Sequence, residues 1–360
     1  MRARNRTIGV ILGLAVAVGF VALGPGRFGK ARHALLAENT GPIKAVALHY
    51  TLESSAYTNP CYEAFLGAIG SDVDIIAVCG STADARAFAD AARKWSIPNP
   101  GRIHTQVIGK PITGWCKDRF LVADGSPAAL VCPIPVDMGL ATRAHDAEVA
   151  GFLEKTYPGR FARAQLPIKF DAGDILATGV HIIVSDSLWR KNDKPADFLR
   201  RLEQAFSQKV IWLRDAPDHH IGMYAAPLQG KLIAVGDPEL GRRLWSKHAD
   251  NALGRADFSE SATQPFTKAA DQLKHAGFQL VKLPTAVLGV KTYISYTNGV
   301  FETNGGRRIV YMPWYDEPAL DNTARRAYES AGWRVVPIPV RTVYKFRGTI
   351  GCLINVVERG

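Results

Sequence analysis

Alternating and helical spacings of apolar residues take turns along this chain from about residue 39 to its end. Runs such as "KAVALHY", "DIIAVCG", "HIIVSD", "KVIWLRD", "KLIAVGD" and "RRIVYMPW" are short, apolar and rich in β-branched residues, the signature of half-buried or buried strands. Between them, "CYEAFLGAIG", "STADARAFADAARKW", "KPADFLRRLEQAFSQ", "FTKAADQLKH" and "LDNTARRAYES" repeat their apolar positions at three and four residues, as one face of a helix does.

Two segments repeat. "AGFQLVKLP" (276–284) and "AGWRVVPIP" (331–339) match in pattern, 55 residues apart. In each, Ala-Gly stops a helix and a strand ending in Pro follows. A further strand lies upstream of each helix, and acidic turn residues start the helix. "FETNGGRRIVYM" adds a hairpin, with Asn-Gly-Gly between two runs. The predicted unit is therefore ββαβ, and the length holds about five such modules side by side. A doubly wound α/β sheet is the simpler alternative, with fewer hairpins.

The N-terminus departs from this pattern. Arg2, Arg4 and Arg6 precede "IGVILGLAVAVGFVALG" (8–24), seventeen residues without a charge. That form is an export signal or a membrane anchor. Arg27, Lys30 and Arg32 flank the far side and no clear cleavage site follows, so anchor, cleaved signal and buried core helix all stay open. Residues 1–38 read as this leader and a short linker, and 39–360 as a single domain. The expected setting is exported: periplasmic, extracellular, or held at the membrane by the N-terminal helix.

Charge changes little. Six Lys/Arg against one Glu fall in residues 1–38, so +5 of the formal +11 sits there and +6 remains in the body. No Lys/Arg cluster interleaved with aromatics occurs in that body, which argues against nucleic acid as a partner. The five cysteines, Cys61, Cys79, Cys116, Cys132 and Cys352, form no CxxC pair, so no structural zinc site is expected. Cys79 and Cys132 lie in strand runs and read as core.

Four stretches place reactive groups beside predicted strands: "GWCKDRFLVADG" (114–125), "KFDAGDILATG" (169–179), "DAPDHHIGMYAAPL" (215–228) and "GTIGCLIN" (348–355). Singly, each has a plain reading. Asp118 can pair with Lys117 or Arg119, Asp171 and Asp174 suit a turn, "DHH" suits a solvated loop or a metal site of Asp218, His219 and His220, and Cys352 alone reads as core. Together they suggest nucleophilic catalysis: a thiolate, a histidine to exchange protons, and carboxylates to hold a planar cation.

The order W-x-[RK]-D, acid-x-G-[DN], H-x-x-M and C-terminal G-x-x-x-C-L resembles the guanidino-group-modifying enzymes of the pentein superfamily, a five-bladed α/β propeller of ββαβ modules. Within them it resembles the agmatine deiminase and bacterial-type peptidylarginine deiminase branch. "SYTNGVFETNGGRRIVYMPWYDEPALDNTA" (295–324) is similar to that branch's last module, and "FDAGDILATG" to the arginine deiminase and dimethylarginine hydrolase form. The resemblance spans about residues 110–356.

The resemblance implies a deiminase. Cys352 would attack the guanidinium carbon and form a covalent thiouronium-type intermediate. His220, with His219 as its competitor, would protonate the leaving amine and then activate water. Asp118 would hold guanidinium nitrogens, Asp171 would orient the histidine or bind substrate, Asp174 would support the turn beside the substrate, and Trp115 would line the pocket. It implies no metal and no organic cofactor. The partner would be a small or peptidyl guanidino substrate. The same thiol chemistry serves an amidinotransferase, and loss of activity would leave a guanidino-binding protein.

Three positions depart from the branch. Gly222 stands where a second guanidinium-binding Asp is usual, and losing that contact should cost about 1.5–3 kcal/mol unless another acid, Asp218 or Glu302, serves. Gly351 stands where agmatine deiminases usually have His, and Lys117 replaces the common Arg.

Overall fold

The runs singled out by alternation form strands: Ile43–Tyr50, Asp74–Cys79, His181–Ser185, Lys209–Leu213, Leu232–Asp237 and Arg307–Trp314. The computed structural model describes residues 34–134 and 141–360. The charge-free run 8–24, with its signal or anchor reading, lies outside the described residues.

Four modules follow the expected order of antiparallel hairpin, helical segment and parallel strand. The first pairs Leu121–Ala123 antiparallel with Ala128–Cys132, which runs parallel to Phe161–Gln165. The second uses Ile175–Ala177, His181–Ser185 and Lys209–Leu213 in the same way. The third uses Ala225–Pro227, Leu232–Asp237 and Gln279–Pro284. The fourth uses Val300–Asn304, Arg307–Trp314 and Arg334–Pro339.

A fifth module is built from both ends of the described chain. The strand Ile354–Arg359 pairs antiparallel with Ile43–Tyr50, which runs parallel to Asp74–Cys79, and Ile103–Val107 extends that sheet. Among the described residues the sheets are separate, and none closes into a barrel.

Local signals explain the elements. In the helix Pro318–Ser330, Leu320, Ala324 and Tyr328 are buried at four-residue spacing and form one apolar stripe. Truncating Leu320 to Ala would cost about 2–5 kcal/mol by the cavity it leaves. The Ala-Gly stops work through Gly277 (φ +91°) and Gly332 (φ +81°), a left-handed conformation that glycine adopts without strain. One helix starts earlier than its apolar pattern suggests: Leu52–Ala68 runs through Pro60 because Thr51 Oγ1 caps it, accepting the Ser54 N–H at 3.1 Å.

The packed body also begins before residue 39. Leu36 N–H donates to Val122 O at 2.8 Å and Glu38 N–H to Ala177 O at 3.1 Å, while Leu35 is buried. Residues 35–38, expected as linker, thus belong to the body.

One architectural rule positions the site. Each module's first strand is entered by a tight turn or a short helix: Cys116–Arg119, Ala172–Asp174, Ile221–Met223, the Asn298-Gly299 turn, and Ile350–Leu353. These entry turns lie against one another in a ring. Cys116–Arg119 touches both Ala172–Asp174 and Ile350–Leu353, and Ala172–Asp174 touches Ile221–Met223. Thr297 Oγ1 donates to Gly222 O at 2.8 Å, and Gly351 N–H donates to Asn298 O at 3.1 Å, which completes the circle. Five distant stretches of sequence therefore meet in one place.

Candidate active site

Every residue expected from sequence to act chemically lies in or beside this ring. Trp115, Asp118, Asp171, Asp174, His219, His220 and Cys352 all line a cavity of about 280 Å³. The Cys352 Sγ, one His220 ring nitrogen and one Asp118 carboxylate oxygen lie within 4.8 Å of one another.

Glycines make the approach possible. A Cβ on Gly173 would overlap the His220 ring, so only glycine lets the Asp171–Asp174 turn close over that histidine. A Cβ on Gly348 would lie 2.6 Å from the Trp115 ring, so the indole packs directly against the backbone that leads to Cys352. A Cβ on Gly351 would collide with Asn298 Oδ1. The departure from His at position 351 therefore has a physical correlate, since glycine admits Asn298.

Asn298 is a residue that sequence reasoning missed. Its Nδ2 donates to Cys352 Sγ at 3.0 Å, and its backbone carbonyl accepts from Thr349 Oγ1 at 2.7 Å and from Gly351 N–H. The amide thereby fixes where the sulfur sits in the ring.

The acids are held by cations. Arg143 donates to Asp118, an ion pair inside the cavity wall. Lys191 Nζ lies 2.6 Å from Asp174 Oδ2 and 3.3 Å from Asp171 Oδ2. Asp174 Oδ2 also accepts the Asp171 N–H at 2.8 Å, so Asp174 ties the turn together. Asp171 Oδ1 lies 3.5 Å from an Arg119 nitrogen and has no hydrogen-bond partner, although the side chain is only 7% exposed.

The two histidines differ sharply. His220 faces Asp118 Oδ1 at 3.8 Å through Nδ1 and Asp171 Oδ2 at 4.0 Å through Nε2. Burial opposes its charge, but Asp171, Cys352, Asp118 and Asp174 outweigh burial and raise its pKa well above the ordinary 6.5. His219 goes the other way: burial, with the charges of His220 and Lys291, lowers it to about 3. Its Nδ1 accepts the His220 N–H at 2.6 Å, a backbone-positioning role. His220, not His219, meets the thiol. Burial raises the pKa of Asp118 against the opposing charges of His220 and Arg143. Burial opposes the charge of Asp171, but the nearby His220, Lys191 and Arg119 hold that carboxyl below the usual carboxylate range.

Neither acid suggested as a stand-in at position 222 serves. Asp218 is an exposed residue paired with Arg190 and Lys291, and Glu302 is buried beside the Tyr311 hydroxyl, away from the cavity. A Cβ on Gly222 would meet nothing within 4 Å. That open space is part of a smaller cavity of about 30 Å³ bordered also by Cys352, His220, Asn298, and by Glu38 with Lys117, whose charges pair at 2.6 Å. Asp218 likewise does not join His219 and His220 as a metal cluster. Asp118, His220 and Cys352 lie close enough to share a cation, but Arg143 already occupies Asp118, and His220 favours a proton.

The comparisons bear on the fold. An agmatine deiminase from C. jejuni superposes with TM-score 0.67 at 17% identity, over 91% of this chain and 96% of that one. A candidate peptidyl-arginine deiminase superposes with TM-score 0.69 at 15% identity, over 92% and 100%. This chain has the pentein fold. The amidinotransferase SxtG from Microseira wollei, of the saxitoxin biosynthetic pathway, reaches TM-score 0.50 at 14% identity over 91% and 97%. No family model and no curated protein sequence matches the chain. The pentein expectation drawn from motif order thus stands at the level of fold, with the five ββαβ modules observed directly.

Proposed function

We propose that this pentein is a cysteine-dependent deiminase. It acts on the guanidinium group of an arginine-like or peptidyl-arginine substrate and releases ammonia. The observation that carries the reading is the meeting of Cys352 Sγ, a His220 nitrogen and an Asp118 oxygen within 4.8 Å at one cavity wall. The cavity, at about 280 Å³, matches the lower end of small-molecule sites, roughly 300–1,000 Å³.

A guanidinium is planar and always charged, and its N–H groups suit carboxylate acceptors such as Asp118 and Asp171, which line the cavity. The Cys352 thiolate attacks the guanidinium carbon and a C–S bond forms. Protonated His220 gives its proton to the departing nitrogen as the C–N bond breaks, and ammonia leaves. Neutral His220 then takes a proton from water as the water oxygen bonds to the same carbon. The C–S bond breaks, and the thiolate and a ureido product are released. The raised proton affinity of His220 supports its role as the acid of the first half.

An amine in place of water would make the same chemistry an amidinotransferase, and a product carrying that amine would reassign the enzyme. An exported setting belongs to the proposal and rests on the charge-free run 8–24 that follows Arg2, Arg4 and Arg6. Fractionation of expressing cells, with the protein found only in the cytosol, would remove it.

The test is turnover of guanidino compounds in the presence of reductant, followed as ammonia and ureido product. The Cys352→Ala variant should lose turnover and keep ligand binding. Undiminished turnover would reject the proposal.

A further inference from the structure

The reacting groups face two spaces, not one. Asp118, His220 and Cys352 border the 280 Å³ cavity and also the smaller cavity of about 30 Å³, and among the described residues no other side chain borders both. The thiol, the histidine and the acid thus form a partition with a space on each side.

The two sides differ in what they admit. The small one, at about 30 Å³, exceeds the roughly 10–15 Å³ that a water molecule needs and falls far below the roughly 300 Å³ of small-molecule sites. A buried water needs about two to four polar partners. His220, Asp118, Asn298 and the Glu38–Lys117 pair supply polar atoms there, while Ile175 and Leu176 supply an apolar wall. Glu38 and Lys117 are each 21% exposed, so the far end of this space reaches toward solvent.

Gly222 makes the room. A Cβ there would meet nothing within 4 Å, and its φ is not in the left-handed region, so the backbone does not demand glycine. A side chain at this position would take up the space beside His220 and Cys352.

We infer that the cavity at Gly222 holds the water that completes the reaction, and that its size selects water over amines as the second nucleophile. This rests on the function proposed above. Ammonia leaves by the large cavity while the carbon is bound to Cys352. The water oxygen then bonds to that carbon from the small side. One water proton passes to neutral His220, the C–S electron pair returns to sulfur, and the other proton leaves to solvent as the ureido carbonyl forms. An alkylamine is too large for the small side.

Two measurements on the full chain test this, with arginine, agmatine or benzoyl-arginine amide as substrate, whichever is turned over fastest. The first is rapid-quench analysis of Gly222→Ala and Gly222→Val. Each should release one equivalent of ammonia per active site at near the parent rate, then form ureido product slowly. The slowing should grow with side-chain size, to about tenfold or more in Gly222→Val, and intact mass should show the adduct held on Cys352. Alkylation of Cys352 by iodoacetamide should stay near the parent rate. Gly222→Ala, whose Cβ meets no neighbour, carries the test if Gly222→Val does not fold. Ureido product formed at the parent rate, or both products slowed equally with no adduct, overturns the water site and leaves the deiminase reading. The second measurement adds excess glycine to the parent enzyme. Ureido product alone is expected. Transfer to glycine would place entry of the nucleophile in the large cavity, overturn the selection of water and make the enzyme an amidinotransferase. No turnover of any of the three compounds would reject the deiminase reading and this role with it.

Discussion

The amide nitrogen of Asn298 stands 3.0 Å from the Cys352 sulfur, and Gly351 is what allows it, since any side chain there would strike the Asn298 amide oxygen. The two residues enter neighbouring modules of the ring. Their hydrogen bond joins the fourth module to the one built from both chain ends. A hydrogen bond to a charged group is worth about 1.5–3 kcal/mol. Asn298→Ala should therefore slow Cys352 alkylation and lower kcat/KM roughly 10- to 100-fold, with most of the fold's stability retained. Gly351→Ala should give the same kinetic defect without touching either reacting group. Unimpaired alkylation in both would mean the contact is only packing.

Gly173 holds an analogous place for the histidine. Its missing side chain leaves the space that the His220 ring occupies. Gly173→Ala should push that ring aside and approach the loss expected of His220→Ala, about 10²–10⁴-fold in kcat. Thermal unfolding of the variant checks that the fold survives. A near-normal kcat in a folded Gly173→Ala protein would contradict the assigned position of the ring.

The histidine pair offers a sharper contrast. His219 is held near pKa 3 by burial and adjacent charge, so it stays neutral across the working range. His219→Gln should change kcat by less than about tenfold and leave both limbs of the pH profile in place. His220→Gln should abolish the limb that reports the acid.

The sign of the pH dependence follows from the acids around His220. Its pKa in the folded protein is raised above the ordinary 6.5, because Asp171, Cys352 and Asp118 outweigh burial. The stabilisation of the fold from that pairing is full below 6.5 and is lost as pH rises through the higher folded value. Asp171 is depressed, so its contribution is present above the unfolded carboxylate value and is lost as pH falls. Asp171→Asn removes the largest factor raising His220. The alkaline limb of the kcat profile should move to lower pH, and a limb that stays in place would detach Asp171 from this histidine.

Much of the fold was legible because four of the five ββαβ modules are made of neighbouring residues, with glycine stops and an Asn-Gly turn marking their parts. The fifth module was not, since the pairing of Ile43–Tyr50 with Ile354–Arg359 joins the two ends of the described chain and leaves no local trace. Within the site, Asp118, His220 and Cys352 could be read because a motif surrounds each. Asn298 could not: it lies in the strand-like run "SYTNGVF", and its meaning depends on contact with Gly351 across the ring. Arg143 was missed for the same reason, since its link to Asp118 crosses from a helix that carries no motif. The substitutes suggested for an acid at position 222 failed because distance along the chain says nothing about which side of a module a side chain faces.

The central claim is that Cys352 is an activated thiol in a site built for a cation. Purified protein kept in reductant and exposed to chloroacetamidine, a small alkylating cation, tests it most directly, with the adduct located by mass spectrometry. The account predicts selective labelling of Cys352 over Cys61, Cys79, Cys116 and Cys132, slowed by an arginine compound and lost in His220→Ala. Labelling spread evenly over the five cysteines, or none at all, would contradict it and leave Cys352 as a core residue.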